Sequence, residues 1–75
     1  MRGDKMETLY EYIERVARED KVLTIRELAA QADLTHNTIY NTRYRRPTLK
    51  TYRKIAKVLD IEPKELYRYP IGDEA

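Results

Sequence analysis

Five side chains between positions 36 and 44 carry the groups of this chain best suited to specific recognition. They are one imidazole, two amides and two phenols, at His36, Asn37, Tyr40, Asn41 and Tyr44. Their spacing places them on one face of a helix. These groups form directional hydrogen bonds, which suit the base edges of DNA better than simple solvation. The alternative is an ordinary polar helix face, and His36 in particular could be merely solvated.

The sequence predicts that this face belongs to the second of two short helices. Thr24 is followed three residues later by Glu27, which is a capping box, and Thr35 supplies a second N-cap eleven residues further on. Apolar residues flank both caps in the same way, as Leu23 and Leu28 do around the first. A helix is therefore expected to restart soon after the previous one stops.

The turn between these two helices is predicted at Asp33. A left-handed backbone there favours Gly, and Asp is among the next tolerated residue types. The inward face of the second helix is expected to comprise Thr35, Thr38, Ile39 and Thr42. Two short helices joined by such a turn predict a helix-turn-helix, whose second helix enters the major groove of DNA.

Three further helices are predicted around this motif. The first would run from about Lys5 to Arg18, capped by Asp4 with Glu7. Its apolar stripe comprises Met6, Leu9, Ile13, Val16 and Ala17. Val22 and Leu23 would then lead the chain back into the core.

The fourth helix is predicted to start at Thr48, just after Pro47. Its buried stripe comprises Leu49, Tyr52, Ile55, Ala56 and Leu59. Pro63 is expected to start a short fifth helix, PKELYRY, which Pro70 ends. The side chains expected to pack on the first helix or on a partner chain are Tyr67, Tyr69 and Ile71.

These stripes predict an all-α fold with five helices in a single domain, residues 1–75. The helix-turn-helix would span about 24–44, with a flexible C-terminal tail at 70–75. The residues expected in the core are Leu9, Ile13, Val16, Leu28, Ala29, Ile39, Ile55, Ala56, Leu59 and Leu66.

Composition argues against several other classes of protein. A chain of 75 residues leaves little room for a deep catalytic pocket. With no Cys and one His there is no disulfide, no thiolate nucleophile and no metal cluster, and no cofactor is predicted. The sequence contains neither a nucleophile paired with a general base nor a glycine-rich phosphate loop, so it does not indicate an enzyme. No apolar run approaches the ~20 residues of a membrane span, so a cytoplasmic protein without membrane contact is expected.

The formal net charge of +2 hides a strong segregation along the chain. Residues 26–57 carry eight basic and two acidic side chains, for a net +6, whereas residues 1–25 and 58–75 have net charges of −1 and −3. A basic block between acidic ends indicates a polyanion bound on one side.

The run from Leu23 to Tyr67 resembles the Cro and phage-repressor type of helix-turn-helix domain. The matching segments are LTIRELAAQADLTHNTI, the start PTL at Pro47, and KIAKVLDIEPKEL. The resemblance implies a lambda repressor-like, five-helix domain whose third helix enters the major groove. His36, Asn37 and Asn41 would touch base edges there, with Tyr40 and Tyr44 beside them. Many relatives are repressors that act as homodimers on palindromic operators.

Phosphate contacts are expected on either side of this helix. Many relatives place a Gln where this chain has Ile25, so Arg26 is expected to take over that contact. The other expected phosphate contacts are Thr35, Arg43, Arg45, Arg46, Thr48 and Lys50. Arg46 is expected to lie in a loop that lacks the fixed geometry needed for base readout.

The main hypothesis is therefore a transcriptional regulator, expected to be a repressor, that binds specific double-stranded DNA as a homodimer. The alternative is a protein-interaction module, such as an antitoxin or adaptor, that kept the fold. Seven tyrosines without Phe or Trp favour this alternative, because Tyr is enriched at protein interfaces.

Overall fold

The computed structural model describes residues 7–71, and this range contains helices and no strand. The elements are α1 (Leu9–Asp20), α2 (Ile25–Gln31), α3 (His36–Tyr40), a 3-10 helix (Asn41–Arg43), α4 (Leu49–Leu59) and α5 (Pro63–Leu66). The all-α architecture with five helices is confirmed. Helices α2 and α3 form the predicted pair, and the other three helices pack around it.

Local capping residues and one proline determine where four of these helices begin. The Thr24 hydroxyl accepts a hydrogen bond from the Glu27 N–H at 3.1 Å, and the Glu27 carboxylate accepts one from the Thr24 N–H at 2.9 Å. Thr35 and Thr48 each accept a bond from the N–H group three residues later, and Pro63 occupies the first turn of α5. The predicted starts of α2, α3, α4 and α5 are confirmed.

The predicted start of α1 is wrong. Helix α1 begins at Leu9, four residues later than expected, because Thr8 and Glu11 form a complete capping box at that point. Asp4, the predicted cap, lies outside the described residues. The helix also continues two residues further than predicted, to Asp20.

Among residues 7–71, three residues other than glycine adopt a positive φ, and each lies just after a helix. They are Val22 at 57°, Asp33 at 61° and Asp60 at 62°. The left-handed turn at Asp33 is confirmed, and the following Leu34 N–H donates to the Ala29 carbonyl at 2.8 Å, as in a Schellman motif. Val22 contradicts the prediction that it re-enters the core, because its side chain is 82% exposed. A β-branched residue in this conformation is strained.

The predicted core is confirmed. Its members are Leu9, Ile13, Val16, Leu28, Ala29, Ile39, Ile55, Ala56, Leu59 and Leu66, all buried. Tyr12 joins them, although its side chain had not been counted in the stripe of α1. Leu49 was wrongly placed in the stripe of α4, since it is 48% exposed. At roughly 100° per residue, Leu49 lies about 70° around the helix from the centre of that stripe.

The chain after α5 packs back on α1. Helix α5 ends at Leu66, three residues before the predicted end, and Tyr69 then stacks on Tyr12 with ring centroids 4.1 Å apart. The Leu9 N–H donates to the Pro70 carbonyl at 2.8 Å. The segment was predicted to pack on the first helix or on a partner chain. For Tyr69 the packing partner is the first helix.

Candidate nucleic-acid interface

Small and apolar side chains hold α3 against α2. Leu28, Ala29 and Ala32 are buried on α2 and the turn, and Ile39 is buried on α3. The alanines let the two helices approach closely, so the packed pair fixes the direction of α3.

The inner face of α3 agrees with the prediction except at its start. Ile39 and Thr42 are buried, and the Thr42 hydroxyl donates to the Ile39 carbonyl at 2.6 Å. Thr38 is half-buried. Thr35 is exposed rather than buried, because its hydroxyl accepts the Thr38 N–H as the helix cap.

The outer side of α3 and of the 3-10 helix brings together the predicted base-contacting residues. Helix α3 ends at Tyr40, so Asn41 belongs to the 3-10 helix and Tyr44 follows it. Asn37 and Asn41 are exposed one turn apart, and within residues 7–71 neither side-chain amide has a hydrogen bond. Tyr40 and Tyr44 are 39% and 69% exposed. Two amides and two phenol rings therefore face outward near each other.

Aromatic contacts connect this surface. The half-buried His36 ring meets Tyr40 edge-on at 5.6 Å, and Tyr40 stacks on Tyr10 of α1 at 5.5 Å. The Arg43 guanidinium lies 5.6 Å from the centre of the Tyr10 ring and 5.5 Å from that of Tyr44. Four of these five residues were predicted as DNA contacts, and the fifth, Tyr10, joins them from another helix.

Tyr10 is not among the residues that the sequence predicts to contact DNA. Burial of its phenol, together with the neighbouring Tyr40, raises the pKa of Tyr10 to about 12. The phenol therefore stays protonated further into the alkaline range than an ordinary tyrosine and can donate a hydrogen bond. Its position beside the apolar stripe of α1 was visible in the sequence, but its contact with α3 depends on how the two helices pack.

A groove of about 270 Å³ runs along one flank of α3. Its lining includes Arg45, Arg46 and Thr48, three of the predicted phosphate contacts, together with Asn41 and Thr51. Guanidinium and hydroxyl groups are common donors to phosphate oxygens. Lys50 is exposed in the first turn of α4 at the same end of that helix as Thr48.

Arg46 differs from its neighbours because it is held by the protein itself. One terminal nitrogen of its guanidinium donates to the Tyr52 hydroxyl at 2.9 Å, and the other donates to the Tyr69 carbonyl at 3.1 Å. The expectation that Arg46 lacks a fixed geometry is therefore wrong. Its guanidinium links α4 to the C-terminal segment, and a phosphate contact by Arg46 would have to coexist with these two bonds.

A second groove, of about 390 Å³, lies on the other flank of α3. Arg26, Thr24 and Leu23 line it together with Tyr10 and Tyr40. The predicted phosphate contacts are thus distributed on both sides of the outer face of α3.

A protein-family model described as a Cro/C1-type HTH DNA-binding domain matches residues 12–71. This range includes the whole α2–α3 pair and the groove lined by Arg45 and Arg46, whereas Tyr10 of the second groove lies just before it. The chain belongs to the Cro/C1-type helix-turn-helix DNA-binding family. The resemblance inferred from the sequence is confirmed, and membership supports DNA binding and transcription regulation. No curated protein and no solved structure matches the chain.

The electrostatics of the Cro/C1-type domain favour an anionic ligand at this surface. Both acidic side chains of the basic block between positions 26 and 57 have partners within the chain. The Glu27 carboxylate caps α2, and Asp33 lies 3.8 Å from the Lys54 ammonium. Exposed arginines such as Arg43 and Arg45 therefore give this side of the domain an excess of positive charge.

Within residues 7–71, no three His, Cys, Asp or Glu side chains are grouped so that they could hold a metal ion. In the same range, none of the helices has the length and apolar character required to cross a membrane.

Proposed function

We propose that this Cro/C1-type domain binds a specific double-stranded DNA sequence and represses transcription, without catalysing a reaction. The observation that supports this most strongly is the outer face of α3. There the exposed amides of Asn37 and Asn41 lie on a face flanked by two grooves that contain arginines, and Asn41 lines one of these grooves.

Base readout would come from the outer face of α3. An Asn amide can form two hydrogen bonds with adenine, and a good bidentate pair contributes about 1 to 3 kcal/mol of discrimination. His36 would add hydrogen bonds, and Tyr40 and Tyr44 would add hydrogen bonds or apolar contacts with thymine methyl groups. These contacts would set which sequence is bound.

Affinity that does not depend on sequence would come from the flanks. Arg26 would contact the DNA backbone on one side together with Arg43, which lies over the Tyr10 ring, and Arg45 and Lys50 would contact it on the other. The hydroxyl and N–H groups at the Thr35 and Thr48 helix starts would add further phosphate contacts. Two backbone anchors would keep α3 at a constant depth in the major groove.

We propose further that two copies bind one palindromic operator. A helix as short as α3 covers only a few base pairs, and dimers of this motif place their half-sites about 34 to 36 Å apart. Tyr67 in the C-terminal segment is 46% exposed, and it lines a groove of about 330 Å³ with Leu49 and Pro63. This groove is the proposed contact between copies. Repression would follow from occupancy of a promoter.

Selection from a randomised pool of DNA duplexes tests the function. The native chain is expected to enrich one sequence with two half-sites, and light scattering of the complex should give two chains per duplex. An Asn37→Ala/Asn41→Ala variant should still bind duplex DNA but enrich no sequence at the positions read by these amides. A folded native chain that enriches nothing would contradict sequence-specific binding, and one chain on a single half-site would contradict the dimer.

A protein-interaction module is the second candidate function, because the exposed Leu49 and Tyr67 line a groove on α4 and α5 that includes none of the proposed base contacts. A Leu49→Ser/Tyr67→Ser variant separates the two uses of this surface. If the surface joins two copies on DNA, the variant should bind a single half-site and retain its sequence preference. A native chain that stays monomeric and fails to bind DNA upstream of its own gene would favour the interaction module.

A further inference from the structure

Tyr10 lies outside the α2–α3 motif but touches its DNA-facing side. Its ring stacks on Tyr40 with centroids 5.5 Å apart and an interplanar angle of 22°. The Arg43 guanidinium lies over the same ring at 5.6 Å. One side chain of α1 therefore contacts both α3 and the 3-10 helix that follows.

Through these two partners Tyr10 reaches most of the aromatic side of the surface. Tyr40 is in edge contact with His36 at 5.6 Å, and Arg43 lies 5.5 Å from the Tyr44 ring. The proposed base contacts thus fall into two sets. His36, Tyr40 and Tyr44 are connected to Tyr10, whereas the amides of Asn37 and Asn41 stand apart from this network.

Such a connection is important because α3 has five residues and ends in a 3-10 helix. Short helices are marginally stable without tertiary contacts. Ile39 anchors α3 from its inner side, but it does not restrain the orientation of side chains on the outer side. Rings and guanidinium groups that are held before binding lose less conformational freedom when DNA is bound.

We propose that Tyr10 is a positioning residue for sequence recognition: its ring holds Tyr40 and Arg43 in the orientation in which they meet DNA. This inference rests on the proposed function and adds to it a residue that need not touch a base. Aromatic stacking provides the orientation, and the guanidinium over the ring adds a cation–π contact. Loss of the ring should therefore weaken sequence discrimination more than general DNA affinity.

Tyr12 provides a matched control on the same helix. It also stacks on another tyrosine, Tyr69, with centroids 4.1 Å apart, but it does so on the C-terminal segment and away from α3. Tyr12→Leu removes a comparable stack from α1 without touching the proposed DNA surface. Any effect of stacking on stability alone should appear in this control as well.

The experiment uses the duplex enriched by the native chain and a scrambled duplex of the same length and composition. Affinities for both are measured at a temperature at which thermal unfolding shows every variant fully folded. Tyr10→Leu is expected to lower the ratio of specific to nonspecific affinity by about three- to tenfold, the equivalent of one aromatic pair. Tyr10→Phe, which keeps the ring, should retain the native ratio, and so should Tyr12→Leu. If Tyr10→Leu does not fold, Tyr10→Met serves in its place.

The slope of log affinity against log salt provides a second readout. It should remain native in Tyr10→Leu, because Arg43 keeps its charge and its phosphate contact when its orientation is no longer held, and the number of neutralised phosphates does not change. An unchanged affinity ratio in Tyr10→Leu would overturn the inference. An equal loss in Tyr12→Leu, or in Tyr10→Phe, would also overturn it. A native chain that enriches no duplex would overturn the proposed function and this inference together, whereas enrichment with an unaffected Tyr10→Leu would overturn this inference alone.

Discussion

Helices α3 and α4 follow one another in the chain, yet they are stabilised in different ways. Helix α4 has eleven residues, of which four are buried, and a threonine cap at its start. Helix α3 has five residues, and Ile39 is the one that is buried. Isolated helices of this length are not stable in water, so α3 depends on its neighbours much more than α4 does.

The outer sides of the two helices differ as well. Exposed residues of α4 include Lys50, Arg53 and Lys57, which are typical of a solvated helix face. The outer side of α3 instead presents amides and aromatic rings. We infer that α1, α2, α4 and α5 form a scaffold that fixes the position of α3. The outer face of α3 then determines which DNA sequence is bound. Substitutions in the two regions should therefore have different consequences.

The largest expected effect is at the contact between the two regions. Ile39→Ala should lower the free energy of unfolding by about 2 to 5 kcal/mol, because it empties a fully buried site. Ile55→Ala in α4 is the matched control and should cost a similar amount in chemical denaturation. Amide exchange in α3 should accelerate more in Ile39→Ala than in Ile55→Ala, since α3 loses its one buried side chain. A loss under about 1 kcal/mol for Ile39→Ala would place Ile39 outside the core.

The next effect concerns the scaffold and Arg46. Arg46→Ala removes the bonds to the Tyr52 hydroxyl and the Tyr69 carbonyl, and should lower the free energy of unfolding by about 1 to 3 kcal/mol. Arg45→Ala is the control from the same loop, and its free energy of unfolding should stay within about 0.5 kcal/mol of that of the native chain. Equal stability of the two variants in urea denaturation would mean that the contacts of Arg46 contribute little to the fold.

A gain in stability is expected at Val22. Val22→Gly should raise the free energy of unfolding by up to about 1 kcal/mol, because glycine tolerates a positive φ and the relieved strain exceeds its added chain entropy. Lys21, with a φ of −117°, provides the control, and Lys21→Gly should be neutral or destabilising. DNA sequence preference should be native in both variants. A destabilised Val22→Gly would contradict the strain inferred from the backbone.

The smallest effect is expected at the surface ion pair between Glu7 and Arg15. The Arg15 guanidinium donates two hydrogen bonds to the Glu7 carboxylate, and these bonds lower the pKa of Glu7 below its ordinary value. A carboxylate with a lowered folded-state pKa stabilises the fold above its unfolded pKa, and that contribution is lost as pH falls through the folded-state pKa. Glu7→Gln should thus be slightly less stable than the native chain at neutral pH, and equally stable in acid.

Thermal unfolding from neutral pH to below pH 4 measures this difference, with Glu14→Gln as the control on the same helix. A difference between Glu7→Gln and the native chain that persisted unchanged into acid would exclude the ion pair as its cause.

The sequence was most informative where a structural signal and its partner are close in the chain. Each cap bonds to a residue three positions later, so Thr24, Thr35 and Thr48 could be recognised directly. The turn at Asp33 and the buried stripes were likewise predictable from residue type and spacing. At α1 the capping box of Thr8 with Glu11 has the same type and spacing as the predicted one and lies four residues later.

The features that the sequence did not predict depend on tertiary packing. Arg46 bonds to residues six and 23 positions away, and nothing near Arg46 in the chain indicates them. Tyr10 meets Tyr40 across a separation of 30 positions. Leu49 has the expected residue type for a core position, but the ends of a stripe are buried only if another element covers them. Val22 gives no local sign of a left-handed backbone.

The comparison of Asn41→Ala with Arg45→Ala tests the central claim most directly. Both residues are exposed and line the same groove, but Asn41 is assigned to base readout and Arg45 to phosphate binding. Affinities are measured for the selected duplex, for its single-base variants and for a scrambled duplex over a range of salt concentrations.

Asn41→Ala should lose about 1 to 3 kcal/mol of the binding free energy that discriminates between bases at one operator position, and should retain native nonspecific affinity. Arg45→Ala should weaken binding to all duplexes alike, and should make the slope of log affinity against log salt shallower by about one unit, or about two in a dimer. A changed base preference in Arg45→Ala, with only a general loss of affinity in Asn41→Ala, would contradict the account and assign sequence recognition to the basic loop rather than to the outer face of α3.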